Sequence, residues 1–291
     1  MRDELVDVLG SGAVRETAGR VAAELADEAA ARQLADLCRE RGWKLHPWAG
    51  TADPSPGLPD GVVLVAAGPA LAGDFTLAAE DYYCEAPAGM TLDELSSRLA
   101  NTPLFLPFVA PGSAAMTAAE AVARYPANAF APAYGEFPRL LYGLTFVNDD
   151  GDLVTVGRRT IKGVAGYDVS KLFLGSRGRA GLIVRLRFRL FLRPGHAACW
   201  RAAAGSAPAA GEAGGRVCPA ETGEGVLFYA DGHPTDLDSA AERLRATHPD
   251  LQDVAAGPEA VGYFSRAAAG EPYVPAGGDG GSDLGVSDLF V

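Results

Sequence analysis

The 291-residue chain is poor in the residues that most often carry chemistry. Its four cysteines (Cys38, Cys84, Cys199, Cys218) lie far apart and form no C-x-x-C pair. Neither a disulfide framework nor a thiolate metal site is therefore expected, and the residues read as reduced thiols of a cytoplasmic protein. The four histidines (His46, His196, His233, His248) are isolated from one another. No H-E-x-x-H and no G-x-S-x-G occurs, so metal-dependent and serine-hydrolase chemistry lack their usual signatures. No apolar run reaches the ~18 residues of a membrane-spanning helix. The opening Met1-Arg2-Asp3-Glu4 has no signal-peptide core. Basic residues are also in deficit, 25 against 37 acidic, for a net charge of −12. That balance argues against nucleic acid as a partner, because such binding rests on neutralising phosphates.

The charge that is present is unevenly placed. Residues 158–193 hold ten basic residues and a single acid, Asp168, so a basic island sits inside an acidic chain. The apolar share of 48% is that of an ordinary globular protein. Residues 15–41 are rich in Ala, Glu and Arg, with apolar positions at helical spacing, and read as one or two amphipathic helices closed by Gly42. Short strands are expected at Trp43–His46, Gly61–Ala66 and Tyr82–Ala86. Thr91 followed by Glu94 forms a capping box, which starts a helix. An Ala-rich helix is expected near 115–124. Leu140–Val147 and Leu153–Val156 flank Asn148-Asp149-Asp150-Gly151 as a hairpin. Leu182–Leu192 alternates Val184, Leu186, Phe188 and Leu190 with Arg185, Arg187 and Arg189, which reads as a strand with one buried face and one solvated row of guanidiniums. Residues 200–225 look like a loose linker or weak strands, followed by a strand at Val226–Tyr229 and a short helix over 238–246. The Gly-rich 269–283 and the end of the chain read as a disordered tail.

Two glycine patterns stand out. Gly10-Ser11-Gly12 fails as a dinucleotide fingerprint, because its sixth position is the bulky Arg15. The second pattern is the stretch 157–181, which holds six glycines and runs straight into the strand at 182. Glycines at this density let the main chain approach a ligand closely, and exposed amides can cradle phosphate. By itself the pattern also suits tight turns beside a sheet.

The residues Lys162-x-x-Ala165-Gly166-Tyr167-Asp168-x-x-Lys171-Leu172-x-x-Gly175-Ser176-x-Gly178-x-x-Gly181-x-Ile183 resemble a flavin-contacting segment of the PCMH-type, vanillyl-alcohol-oxidase-like FAD proteins. Within that family the stretch is most similar to the FAD-binding subunit of glycolate oxidase and to D-lactate dehydrogenases. Pro47-x-Ala49-Gly50-Thr51 resembles the family's first pyrophosphate loop, and Ala86-Pro87-Ala88-Gly89-Met90-Thr91 resembles the turn between its two halves. The resemblance implies an α+β fold of two α/β subdomains, residues 1–194, with a reduced cap over 195–268 and a tail over 269–291. It implies noncovalent FAD, with Gly50 and Thr51 under the pyrophosphate and Gly166, Tyr167 and Asp168 at the flavin edge. Gly175, Ser176, Gly178, Gly181 and Ile183 would form a wall along the ribityl and adenosine portions, and Gly89 and Lys162 would complete the set.

The expected function is an FAD-dependent oxidoreductase subunit acting on a small 2-hydroxy acid within a complex. Its partners would be a larger flavoprotein subunit and an iron–sulfur subunit. The location would be cytoplasmic, and peripheral at the inner membrane through those partners. The chain departs from the pattern at two places that bear on this. The first loop is short (Trp48-Ala49-Gly50), and Met116-Thr117-Ala118-Ala119-Glu120 stands where the family has a Gly-Gly pair. These departures support an alternative, a noncatalytic accessory subunit that has lost tight FAD binding.

Overall fold

The computed structural model describes residues 1–17, 19–48, 58–157, 168–203, 216–222, 224–257 and 259–269. In chain order its elements begin α1 (Arg2–Leu9), β1 (Val14–Thr17), β2 (Arg20–Leu25), α2 (Glu28–Arg41), β3 (Lys44–Pro47), β4 (Val62–Ala67) and α3 (Pro69–Ala72). There follow β5 (Thr76–Ala78), β6 (Tyr83–Pro87), α4 (Leu92–Leu99), β7 (Leu104–Phe105), α5 (Ala118–Arg124), α6 (Ala131–Tyr134), α7 (Phe137–Leu140), β8 (Leu141–Val147) and β9 (Leu153–Gly157). The last third holds β10 (Leu182–Arg189), β11 (Phe191–Leu192), β12 (Ala197–Ala202), β13 (Cys218–Thr222), β14 (Gly225–Asp231), α8 (Pro234–Thr247), β15 (Gln252–Ala256) and α9 (Glu259–Ala269).

The first layer is a sheet in the order β1-β2-β4-β3, in which β2, β4 and β3 run parallel and β1 is antiparallel. Its central strand reads Val-Val-Leu-Val because parallel strands are covered on both faces. Helix α2 buries Ala31, Leu34, Ala35 and Cys38 against it, at the i, i+3, i+4, i+7 spacing of one helical face. Asp27 caps its first turn by accepting from the Ala30 amide at 2.8 Å, and Gly42 closes it in the left-handed conformation, φ 65°. The expectation of helix throughout 15–41 fails for the first half. Val14–Thr17 and Arg20–Leu25 form an antiparallel hairpin, because Ala22, Ala23 and Leu25 gain a partner in β4 that no local propensity reports.

The second layer is antiparallel, in the order β5-β6-β10-β8-β9. Helices α4, α5 and α7 cover one face around Leu95, Val122, Phe137, Leu186 and Phe188. Both capping boxes form: Thr91 with Glu94 on α4, and Thr117 with Glu120 on α5. The hairpin β8–β9 forms as expected, its turn held by Asn148 Oδ1, which accepts from the Asp150 and Asp152 amides. Its tip docks on α2, where Arg32 Nε donates to Asp152 Oδ1 at 2.9 Å and Arg39 Nη2 to the Asp149 carbonyl.

The arginine row of β10 is not the solvated face that alternation suggested. Arg187 and Glu85, opposite each other on β10 and β6, are 13% and 20% exposed at their side chains. Glu85 accepts from Arg187 Nε at 2.9 Å and from Arg185 Nη1 at 3.3 Å, while Arg185 Nε donates to the Ala72 carbonyl. Burial pushes the Glu85 carboxyl up, but the hydrogen bonds and charges of Arg187 and then Arg185 outweigh it and hold it below its ordinary value.

Residues 197–269 build a third sheet, β13-β14-β12-β15, with α8 on one face and α9 on the other. The region expected to be a loose linker or weak strands contains the end of β12 and the edge strand β13, and the short helix expected over 238–246 spans Pro234–Thr247. Residues 270–291, the expected tail, lie outside the described residues.

Two substitutions test these junctions. A Cβ on Gly151 (φ 80°) would lie 2.3 Å from Arg32 Cα, so Gly151→Ala should destabilise by about 1–3 kcal/mol in urea unfolding. Glu85 has a depressed folded-state pKa, so its contribution is present above its unfolded value and lost as pH falls through the folded one. Glu85→Gln should therefore be less stable than the parent at neutral pH, and the gap should narrow on acidification. A gap that widens in acid would refute the assignment.

Candidate functional site

Strand β10 brings the glycine-rich segment to the junction of the first two layers. Residues 174–181 wrap the end of α5, with the Gly175 amide donating to the Val122 carbonyl and the Arg177 amide to the Ala123 carbonyl. Gly178 (φ 87°) places its α-carbon against Pro47, the last residue of β3, since a Cβ there would lie 3.1 Å from the proline ring. The segment after β3 and the segment before β10 therefore meet at Pro47–Gly178. Gly89 joins the same junction, because the neighbouring Ala88 amide donates to the Val184 carbonyl at 2.9 Å. A Cβ on Gly89 would meet nothing within 4 Å, which leaves its main chain open to a close approach.

The other expected site residues fall as follows. Gly175 and Gly181 have positive φ, and a Cβ on Gly181 would lie 2.8 Å from the Val147 carbonyl oxygen. Both glycines thus have reasons within the chain itself. The Ile183 side chain is 5% exposed and packs in the core with Leu186 and Phe188, so only its main chain is left for a ligand. Asp168 accepts from the Ser170 hydroxyl and lies 3.5 Å from Lys171 Nζ. Lys171 in turn donates to the Pro138 and Leu141 carbonyls and ties this segment to the start of β8. Gly50, Thr51, Lys162, Gly166 and Tyr167 lie outside the described residues.

The residues around Ser176 fit a polar ligand of the FAD kind. The Ser176 Oγ is buried and has no hydrogen-bond partner among the described residues, an arrangement that costs about 1–3 kcal/mol unless a ligand or water completes it. The start of α5 does not fit phosphate. Its Ala118 and Ala119 amides donate to the Met90 and Ala88 carbonyls at 2.8 and 3.0 Å. The Thr117 amide is taken by Glu120 Oε2 and the Glu120 amide by Thr117 Oγ1. No first-turn amide is left to cradle an anion, and the Glu120 carboxylate is turned back onto its own cap.

A second polar centre joins this part of the chain to the third sheet, and sequence reading missed it. Asp231, at the end of β14 and 5% exposed at its side chain, accepts from Tyr134 at 2.6 Å and Tyr229 at 2.9 Å on Oδ2, and from Arg216 at 2.7 Å on Oδ1. Tyr134 comes from α6 and stands edge-on to Phe105, Phe130 and Phe191. Burial, then the bond to Asp231, pushes the Tyr134 phenol above its ordinary value. The only sequence signal was an acid at the end of an apolar strand, and its partner Tyr134 lies 97 residues away. The four thiols are buried, and burial pushes each up to about 12, so none is a nucleophile. Among the described residues no cluster of His, Cys, Asp or Glu could hold a metal, and no helix is long and apolar enough to cross a membrane.

Asp231→Ala would leave two phenols and a guanidinium without their acceptor. It should cost about 3 kcal/mol in chemical denaturation, with Asp231→Asn costing less.

Known proteins share stretches of this sequence and much of this fold. The family described as "FAD binding domain" matches residues 20–157. A probable mitochondrial D-lactate dehydrogenase of Danio rerio is 34% identical over 115 residues, 38% of this chain and 23% of the relative. Glycolate oxidase subunit GlcD of Bacillus subtilis is 36% identical over 61 residues, 21% of this chain and 13% of the relative. The matched stretches thus span under a quarter of either relative. Among solved structures, 4-ethylphenol oxidase from Gulosibacter chungangensis superposes with a TM-score of 0.63 at 14% identity, over 87% of this chain and 64% of that one. Chitooligosaccharide oxidase gives 0.60 at 16% identity, over 93% and 58%. Residues 20–157 are therefore similar to an FAD binding domain, and the chain shares its fold with the solved oxidases on which it superposes.

Proposed function

We propose that this chain is the FAD-binding subunit of a 2-hydroxy acid oxidoreductase, comparable to the FAD-binding subunit of glycolate oxidase. The observation that carries the reading is the FAD-binding domain itself, with partial relatives that include D-lactate dehydrogenase, a glycolate oxidase subunit and D-2-hydroxyglutarate dehydrogenase. When bound, FAD supplies the electron acceptor for a two-electron oxidation. The chain's part is to bind and orient it. Ser176 donates its unpartnered hydroxyl to the cofactor, Gly89 keeps its main chain open to close approach, and Gly178 holds the segment against Pro47. Asp168, held by Ser170 and Lys171, sets the course of the segment that enters the wall. Gly50, Thr51, Lys162, Gly166 and Tyr167 complete the set, and FAD is held noncovalently. Residues 1–194 form the FAD-binding unit and 195–268 the reduced cap. A larger flavoprotein subunit and an iron–sulfur subunit are the partners, and the complex is cytoplasmic, with any membrane association made through them.

A second reading, an accessory subunit without tight FAD binding, is favoured by one observation: the start of α5 offers no free amide to a phosphate.

Titration of the whole chain with FAD, followed by flavin fluorescence, separates the two. The first reading expects saturable one-to-one binding, weakened about five-fold by Ser176→Ala, the worth of one neutral hydrogen bond. It also expects dye reduction with glycolate or D-lactate once the partner subunits are added. A chain that ignores FAD supports the accessory reading instead.

A further inference from the structure

On the α8 side of the third sheet, residues 216–217 ahead of β13, the end of β14 and residues 236–243 of α8 line an open cavity of about 360 Å³. Val217 and Leu237 supply an apolar floor, Arg216, Arg243 and Asp236 stand at the rim, and Asp231 closes the back. This face has its own core, built on Trp200, Phe228 and Leu244. The core that meets Phe105 and Phe130 lies on the α9 side, and no residue of 174–181 lines the cavity.

The charges at the rim are not equivalent. Both oxygens of Asp231 are engaged, Oδ2 by two phenols and Oδ1 by Arg216, so this carboxylate has little capacity left for a ligand. It neutralises one edge of the Arg216 guanidinium. A guanidinium carries five N–H donors, and among the described residues that of Arg216 makes its hydrogen bond to Asp231 alone, with 60% of the side chain exposed. Arg243 follows Asp236 by two turns of α8 and lies on the same side of the helix. The cavity thus offers a planar, charged donor edge above an apolar floor, at the small end of the size range of ligand pockets.

We propose that this cavity binds a small organic carboxylate. Its carboxylate group sits on the free edge of Arg216, with Arg243 beside it, and its short alkyl portion lies on Val217 and Leu237. A planar carboxylate matches the guanidinium fork, which a point-like cation would not provide. Asp236 is the one rim charge that opposes such a ligand. Because Asp231 also holds Tyr134, a ligand that orders Arg216 braces the contact between the third sheet and α6, so binding should raise the melting temperature of the whole chain. None of this depends on FAD being bound.

The test is calorimetric titration of the whole chain with butyrate, alongside inorganic phosphate and butylammonium. The proposal expects one saturable site for butyrate, weaker binding of phosphate and none of butylammonium. Arg243→Gln, on the exposed side of α8, should weaken butyrate about ten-fold, and Asp236→Asn should tighten it about two-fold. Arg216→Gln strands the buried Asp231 and can lower stability, so the two exposed substitutions carry the decision. Absence of saturable butyrate binding, unchanged affinity in Arg243→Gln, or butylammonium or phosphate binding as tightly as butyrate would each overturn the proposal.

Discussion

Strand β10 is the constraint on which the rest of the molecule depends. It pairs with β6 on one side and β8 on the other, and its side chains feed two cores at once. Leu182 and Val184 face the parallel sheet and α2, while Ile183, Leu186 and Phe188 face α4, α5 and α7. A register shift between Ile183 and Arg185 lets the strand change allegiance in this way, since an unbroken strand would keep a strict period of two. The glycine-rich wall ends where this strand begins. Its position against Pro47 is therefore set by the packing of the strand and not by the loop alone.

Two carboxylates, the half-buried Glu85 and the buried Asp231, hold what the apolar cores leave free. Glu85 gathers Arg185 and Arg187 beneath the end of α3, and Asp231 gathers Tyr134, Tyr229 and Arg216 between α6 and the third sheet. Each lies at a seam between layers, where the packing of one sheet would not by itself fix the angle of the next. Hydrogen bonds to a buried charge are directional and costly to break, so they select one arrangement among several that hydrophobic burial alone would tolerate.

What was legible in the sequence was local. The caps at Thr91 and Gly42 and the Asn148–Gly151 turn each depend on contacts within a few residues, and all appear as expected. The glycine motif was legible because its spacing is a covalent fact of the chain. The hairpin at 14–25 was not, because an Ala-rich strand has a helix-like composition and is made a strand by β4, nearly forty residues later. The arginine row was read as solvated because alternation reports which face a residue takes, not what covers that face. Helix α9, which packs Val261 and Phe264 on the third sheet, was overlooked in a stretch where alanine and glycine mask the periodicity. Of the candidate site, the glycine spacing could be read along the chain and the Asp231 centre could not, since it joins three separate segments: α6, Arg216 and β14.

The basic island of 158–193 changes meaning once its side chains are placed. Lys171 is bound to main-chain carbonyls, Arg185 and Arg187 to Glu85, and Arg189 and Arg193 lie over the rings of Phe191 and Phe105. Most of the described charge therefore serves the seams of the fold rather than a ligand. Arg177 and Arg179 are the exceptions: both are exposed, and they flank Gly178 where it meets Pro47 at the head of the first loop. The opposite wall, at α5, has every first-turn amide engaged and an acid in its cap. An anionic group held at this junction would thus meet guanidinium charge from one side and no helix amides from the other. That is a different balance from a glycine-rich cradle, in which main-chain N–H groups do the work. It ties the alanines at 118 and 119 and the arginine at 179, which look unrelated in the sequence, to the same physical consequence.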